Sequence, residues 1–270
     1  MNAERTDTNA GVTRRRTLAL GAAGITTGLA GCLGTRDGPV PDPVVTDGRI
    51  DDGWRLVDES SEEVLEESVG PITVTVLERS LVYEHVSVAE ALAEALDADG
   101  SPVLFFATRI DLRPAIDGLP FGLGRDQLMG EVEAAAEAAF REQLRAGGID
   151  DVESTGSTTM DVDAGHTATT VQFAGQFDLE GDVEITDGVT GSIDDEFEIE
   201  ALLAVWHDGT DVLLAGGAHP TRPFDAAFED AIGDAPVGLE DVFGEDAAAV
   251  LSEDPETYSE EIEALIRSVE

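Results

Sequence analysis

The chain contains no lysine: its 15 basic residues are all arginine and stand among 58 acidic ones, a formal net charge of -43 over 270 residues. Any fold it adopts must hold that much like charge on one body. In dilute buffer such repulsion strains a compact state, whereas at molar salt the screening length falls to about 3 Å and most of it is silenced. A lysine-free, carboxylate-rich surface is that of a halophilic protein. The acids are spread along the chain and interleaved with regular apolar patterns, which sets them apart from a disordered acidic tail. The same charge restricts partners. Binding DNA or RNA relies on basic groups displacing counterions from phosphate, and scattered arginines cannot supply that field, so no nucleic acid is expected.

The most apolar run, Thr13 to Cys32, ends at the chain's single cysteine. From Thr17 to Gly31 it has 15 uncharged residues, which as a helix would reach about 22 Å, short of a hydrocarbon core of about 30 Å. Four glycines and three threonines in the run lower its helix propensity further. What remains is the layout of an export signal: cationic residues, a short apolar stretch, then small residues before a cut. Thr13-Arg14-Arg15-Arg16-Thr17-Leu18 resembles the twin-arginine signal, with Thr17 where phenylalanine is usual. Leu29-Ala30-Gly31-Cys32 resembles a lipobox, in which the cysteine thiol is alkylated with lipid. The expectation is a signal peptide over 1–31, with Arg14 and Arg15 as its export determinants and Cys32 as the lipidated first residue of the mature chain. Two acyl chains, at about 0.8 kcal/mol per buried methylene, would hold the domain on the outer face of the cell membrane. Removal of 1–31 leaves 11 arginines and 56 acids and no thiol beyond Cys32, hence no disulfide or thiolate chemistry.

Residues 33–53 are rich in Gly, Pro and Asp without periodicity, so 32–53 reads as a flexible tether and 54–270 as one globular domain. Gly70-Pro71 followed by alternating Ile72, Val74 and Val76 predicts a hairpin, although Glu62 to Ser68 also suits a short helix. Ser87-Val88-Ala89-Glu90 is a capping box for a helix through Leu96, and "PVLFFATRIDL" is a continuous apolar run, a buried strand. Leu128, Val132, Ala135, Ala136, Ala139, Phe140 and Leu144 recur at helical spacing before Gly147-Gly148. Two further hairpins turn at Asp163-Ala164-Gly165 and at Asp208-Gly209, with a Gly- and Asp-rich loop expected over 180–195 between them. Tyr258, Ile262, Leu265 and Ile266 share one face of a final helix after Pro255. Hairpins with one long inserted helix and one terminal helix predict the α+β class: an antiparallel sheet covered on one face by both helices.

The segments "GPITVTVLERSLVYE", "LFFATRIDLRP" and "LAVWHDGTDVLLAGGAHP", with the lipobox, resemble a group of haloarchaeal twin-arginine lipoproteins known as a domain of unknown function. The resemblance covers most of 54–270 and implies localisation and a shared fold, with no activity attached. The element order also resembles the PsbP/Mog1 type of α+β fold, which commonly serves as a binding or assembly module.

Catalytic patterns are sparse. His166, His207 and His219 fall near strand ends, where hairpin ends could gather them with Asp161, Asp163, Asp208 or Asp211 around a metal, although no pair has His-x-x-x-His spacing. "DVDAGH" fails as a calcium loop, because Gly165 takes the third ligand position and Gln172 the twelfth. There is no Gly-x-Ser-x-Gly elbow, and neither "FGLGRD" nor "AGGAHP" has the ending of a phosphate loop. The long connection after the buried strand is more unusual: Arg113, Ile116, Leu119, Phe121 and Leu123 sit in a segment of no regular period, suited to gripping a ligand, a partner or nearby lipid. A polar pocket gathering the histidines, or Arg109 and Arg113, would mark a site. The reading is a lipid-anchored surface module, without cofactor or resident metal, that binds a protein, a solute or an envelope component. The alternative is an envelope hydrolase, metal-assisted through His166, His207 and His219. The charge carries its own test: dialysis from molar salt into dilute buffer should unfold the domain cooperatively, and an unchanged circular dichroism spectrum would refute the halophilic reading.

Overall fold

The computed structural model describes residues 38–69, 72–96, 101–113, 125–186, 188–209, 211–233 and 236–270. The chain divides into two units, Met1–Cys32 and Leu33–Glu270, and the first lies outside the described residues. The second contains α1 (Arg49–Gly53), β1 (Trp54–Val69), β2 (Ile72–His85), α2 (Val86–Leu96), β3 (Leu104–Arg113), α3 (Arg125–Ala146), β4 (Ile149–Asp161), β5 (Thr167–Thr186), β6 (Val189–Asp208) and β7 (Asp211–Pro220). Four helices follow: α4 (Asp225–Ile232), α5 (Leu239–Phe243), α6 (Glu245–Leu251) and α7 (Pro255–Arg267). The strands form a seven-stranded sheet in the order β1-β2-β3-β7-β6-β5-β4, with every neighbouring pair antiparallel. This is an α+β fold.

Local chemistry explains the element ends. Gly148 adopts φ 85° just past α3 and Gly147 N–H bonds back to the Gln143 carbonyl, a left-handed helix stop. Gly165 and Gly209 take φ 84° and 61° in the hairpin turns where Asp-Ala-Gly and Asp-Gly predicted them. Pro255 opens α7 behind Asp254, whose carboxylate accepts from Glu256 N–H at 3.0 Å. Glu62 to Ser68 belongs to β1, paired with β2, rather than to a helix.

The helices do not share one face of the sheet, as the sequence suggested. Phe106 of β3 stacks on Phe140 of α3, with ring centroids 5.1 Å apart. Its neighbour Phe105 faces Trp54 at 6.1 Å on the opposite side, because successive strand residues point to opposite faces. In β7 a Cβ on Gly217 would lie 2.7 Å from Ile262 of α7, while one on Gly216 would meet Phe106 at 2.5 Å. Hence α3 covers one face and α7 the other. The physical reason is that β3 and β7 lie inside the sheet and are apolar on both sides: every residue from Asp211 to Ala218 is buried. One layer of helix would leave half of that surface wet.

Two further expectations change. The loop read over 180–195 is strand: β5 and β6 stay paired out to Thr186 and Val189. Val183, Ile185 and Ile193 are buried on one face of that extension, and Gly181 and Gly191 let α2 and α4 approach it at Leu96 and Ala231. The Gly and Asp content that suggested a loop belongs to its solvent face and close contacts. The tether read over 32–53 is docked from Gly38 on. Val40 and Pro43 are buried, Val44 and Glu270 exchange backbone hydrogen bonds of 2.9 and 2.8 Å, and Val45 bridges Val269. Gly217→Val should lower stability by about 1–3 kcal/mol, since its Cβ would sit 2.5 Å from the Leu104 carbonyl as well as against Ile262. Thermal denaturation in molar salt checks it.

Candidate functional site

Arg14, Arg15, Cys32, Ile116, Leu119, Phe121 and Leu123 lie outside the described residues. The histidines are described, and they do not converge. His166, in the β4–β5 turn, puts Nε2 3.2 Å from Asp208 Oδ1. His207 is next to Asp208 in β6, so its side chain leaves by the other face. His219 pairs in register with Glu200, seven positions from His207 along β6, or about 23 Å at the rise of a strand. A hydrolytic centre built on all three is therefore not assembled. Among the described residues no group of three or more His, Cys, Asp or Glu is placed to hold a metal ion.

Arg109 and Arg113 are brought together, with two aspartates. Asp111 and Asp211 are register partners on β3 and β7 and are 3% and 4% exposed. Arg109 Nη1 reaches Asp211 at 3.0 Å and its Nη2 donates to the Glu270 carbonyl at 2.7 Å. Arg113 donates from Nε and Nη2 to Asp111 at 3.0 and 2.9 Å, and from Nη2 to the Gly38 carbonyl. Arg79, the register partner of Arg109, holds Asp42 and Glu59 at 2.5 and 2.8 Å. Buried charge is tolerated only when paired and hydrogen-bonded, and here the bonded partners are the protein's own carboxylates and the Gly38 and Glu270 carbonyls. The cluster is a structural tie between the N-terminal strap, the sheet and the C-terminus.

A trough of about 290 Å³ with a partly polar lining lies beside α7, close to the lower size of small-ligand sites. Its floor is the α7-side face of β5, β6 and β7, with Gln172, Glu198, Glu200 and His219, and its wall is Ile262 and Glu263 of α7. Gly217 positions that wall by letting α7 approach the sheet. His219 Nδ1 lies 2.9 Å from the Pro220 carbonyl. A carbonyl only accepts, so Nδ1 is the donor of that contact. The three glutamates are acceptors when ionised, and Glu263 already accepts from Arg267 Nη2 at 2.6 Å. The carboxylates of the lining thus complement a ligand rich in O–H or N–H donors. Sequence reasoning named His219 but missed the glutamates, since alternating exposed acids on a strand look like any solvated face.

A second polar group lies buried beside α7. His85 stacks edge-on against Trp54 and Tyr258 at 5.2 and 5.3 Å, and its Nε2 is 3.7 Å from Glu261 Oε2. Burial pushes His85 below its ordinary value, opposed by Glu253. Burial pushes Glu261 up, against the lowering effects of Arg49 and the Trp54 indole, with Asp47 and Glu253 adding to the rise. Burial pushes the Tyr258 phenol strongly up as well. Each group therefore favours its neutral form in the fold. His85 contributes stability that is present above about pH 6.5 and lost as pH falls through its lowered folded value; Glu261 imposes a cost that is present above its raised folded value and relieved as pH falls to about 4.5. Glu261→Gln should accordingly raise the melting temperature at neutral pH, with a gain that shrinks toward pH 4.5. Melts in molar salt across that range decide it.

No curated protein and no solved structure matches the chain. The match that does exist begins inside the docked strap and runs to the last residue. Over residues 42–270 the chain belongs to the family of the domain of unknown function DUF6517.

Proposed function

We propose that this is a twin-arginine-exported lipoprotein of a halophile, anchored through lipid on Cys32 at the outer face of the cell membrane. There it serves as a non-catalytic binding module whose ligand sits in the α7 trough. The anchor reading is supported by Arg14 and Arg15, the short apolar run and Leu29-Ala30-Gly31-Cys32. The binding reading rests on one observation: the Glu198, Glu200 and Glu263 carboxylates line one concavity beside His219.

A donor-rich small solute, an amine or a hydroxylated compound such as a sugar of the envelope, is the class that complements such a lining. At molar salt, long-range attraction is screened within about 3 Å, so affinity must come from direct hydrogen bonds and from burial against Leu202 and Ile262 rather than from charge alone. A Cys32→Ser variant should lose membrane partitioning; a mature-sized variant that still sediments with membranes would sink the anchor reading. Calorimetric titration of a hexose and of a diamine in molar salt tests the trough. One of them should bind, and Glu200→Gln should weaken it about tenfold, or about 1.4 kcal/mol. No binding of either probe, or binding indifferent to Glu200, would count against the site.

A further inference from the structure

The chain enters the described domain at one end of the sheet and is held there. The Gly38 carbonyl accepts from Arg113 at the last position of β3, Asp42 is bound by Arg79, and Thr46 donates to the Ser268 carbonyl from its amide and its hydroxyl at 3.1 and 2.9 Å. With Val40 and Pro43 buried as well, the strap over 38–46 is tied to the domain along its length. Only six peptide steps separate Gly38 from Cys32, at most about 21 Å when fully extended. The register Asp111↔Asp211 and Asp208↔Asp211, with His166 on Asp208, puts the end of β3, the β6–β7 turn and the β4–β5 turn at that same end. From there β5 runs on to Thr186, where it pairs with Val189, a contour of roughly 60 Å. The trough, at the Glu200 and His219 pair, lies about 26 Å along β6 from the near end.

We infer that the docked strap orients the protein on the bilayer: the end carrying Arg113 and the β4–β5 and β6–β7 turns faces the lipid surface, and the trough and the β5–β6 hairpin tip are held away from it. This rests on the anchor proposed above. The near end exposes Asp161 and Asp163, whose charges are screened within about 3 Å at molar salt, so the short link sets the orientation and charge does not. Because lipid blocks the Cys32 thiol, a single engineered cysteine can be labelled. Ala164→Cys in the near turn and Val189→Cys at the hairpin tip, where Val189 is 51% exposed, would each carry a donor dye. The lipidated proteins would be reconstituted in molar salt into vesicles containing an acceptor lipid. Energy transfer should be several-fold more efficient from position 164 than from 189, and equal or reversed transfer overturns the orientation. A flexible Gly/Ser insert of about 20 residues between Gly34 and Thr35 should abolish the difference while vesicle flotation is kept. A difference that survives the insert overturns the strap as its cause. Protein that fails to float with vesicles overturns the anchor and this inference together, whereas floating protein with equal transfer overturns the orientation alone.

Discussion

The centre of the sheet is a strand that must be dry on both sides. Asp211 to Ala218 of β7 is buried throughout, and burying two faces of apolar strand at about 25 cal/mol per Å² is the largest favourable term such a fold can collect. It dictates the layers: α3 on one side, α7 on the other. Gly216 and Gly217 let those layers close, because any side chain at either position would meet Phe106, Ile262 or the neighbouring strand backbone. Glycine in a strand interior costs conformational entropy, and close packing on both faces offsets it.

The same strand explains how a strongly acidic chain spends its arginines. Asp211 and Asp111 sit opposite each other inside the sheet, an arrangement that repels unless cations intervene. Arg109 and Arg113 intervene, and each also donates to a backbone carbonyl, of Glu270 and Gly38 respectively. A buried ion pair contributes little net stability, since desolvation takes back most of the Coulomb gain. Its consequence here is geometric: the strap at Gly38 and the backbone at Glu270 are held at one corner. Planar, multi-donor arginine suits such a junction better than lysine would.

Much of the secondary structure was legible because its signals are local. The helical spacing from Val132 to Leu144, the Asp-Gly and Asp-Ala-Gly turns and the Asp254-Pro255 helix start each depend on neighbours within a few residues. The β5–β6 extension was missed because Asp182, Glu184, Asp194 and Glu196 dominate its composition, while Val183, Ile185 and Ile193, which bury it, are thinly spaced. The strap was missed for a related reason: Pro and Asp at 38–46 have no period, and what holds them is Arg79, Arg113 and the C-terminal residues, which are distant in sequence.

For the candidate site, the sequence by itself determined which chemistries are available: four histidines, abundant carboxylates, no thiol after Cys32 and no nucleotide or nucleophile motif. It also determined the α+β class, because alternation and helical spacing are properties of short windows. Only the tertiary structure decided that His166 and His219 lie far apart on the sheet, that Glu200 pairs with His219, and that α7 walls the trough they floor. Those relations are set by strand register and by which face a helix covers. Both depend on the summed packing of residues far apart in the chain, which no local pattern records.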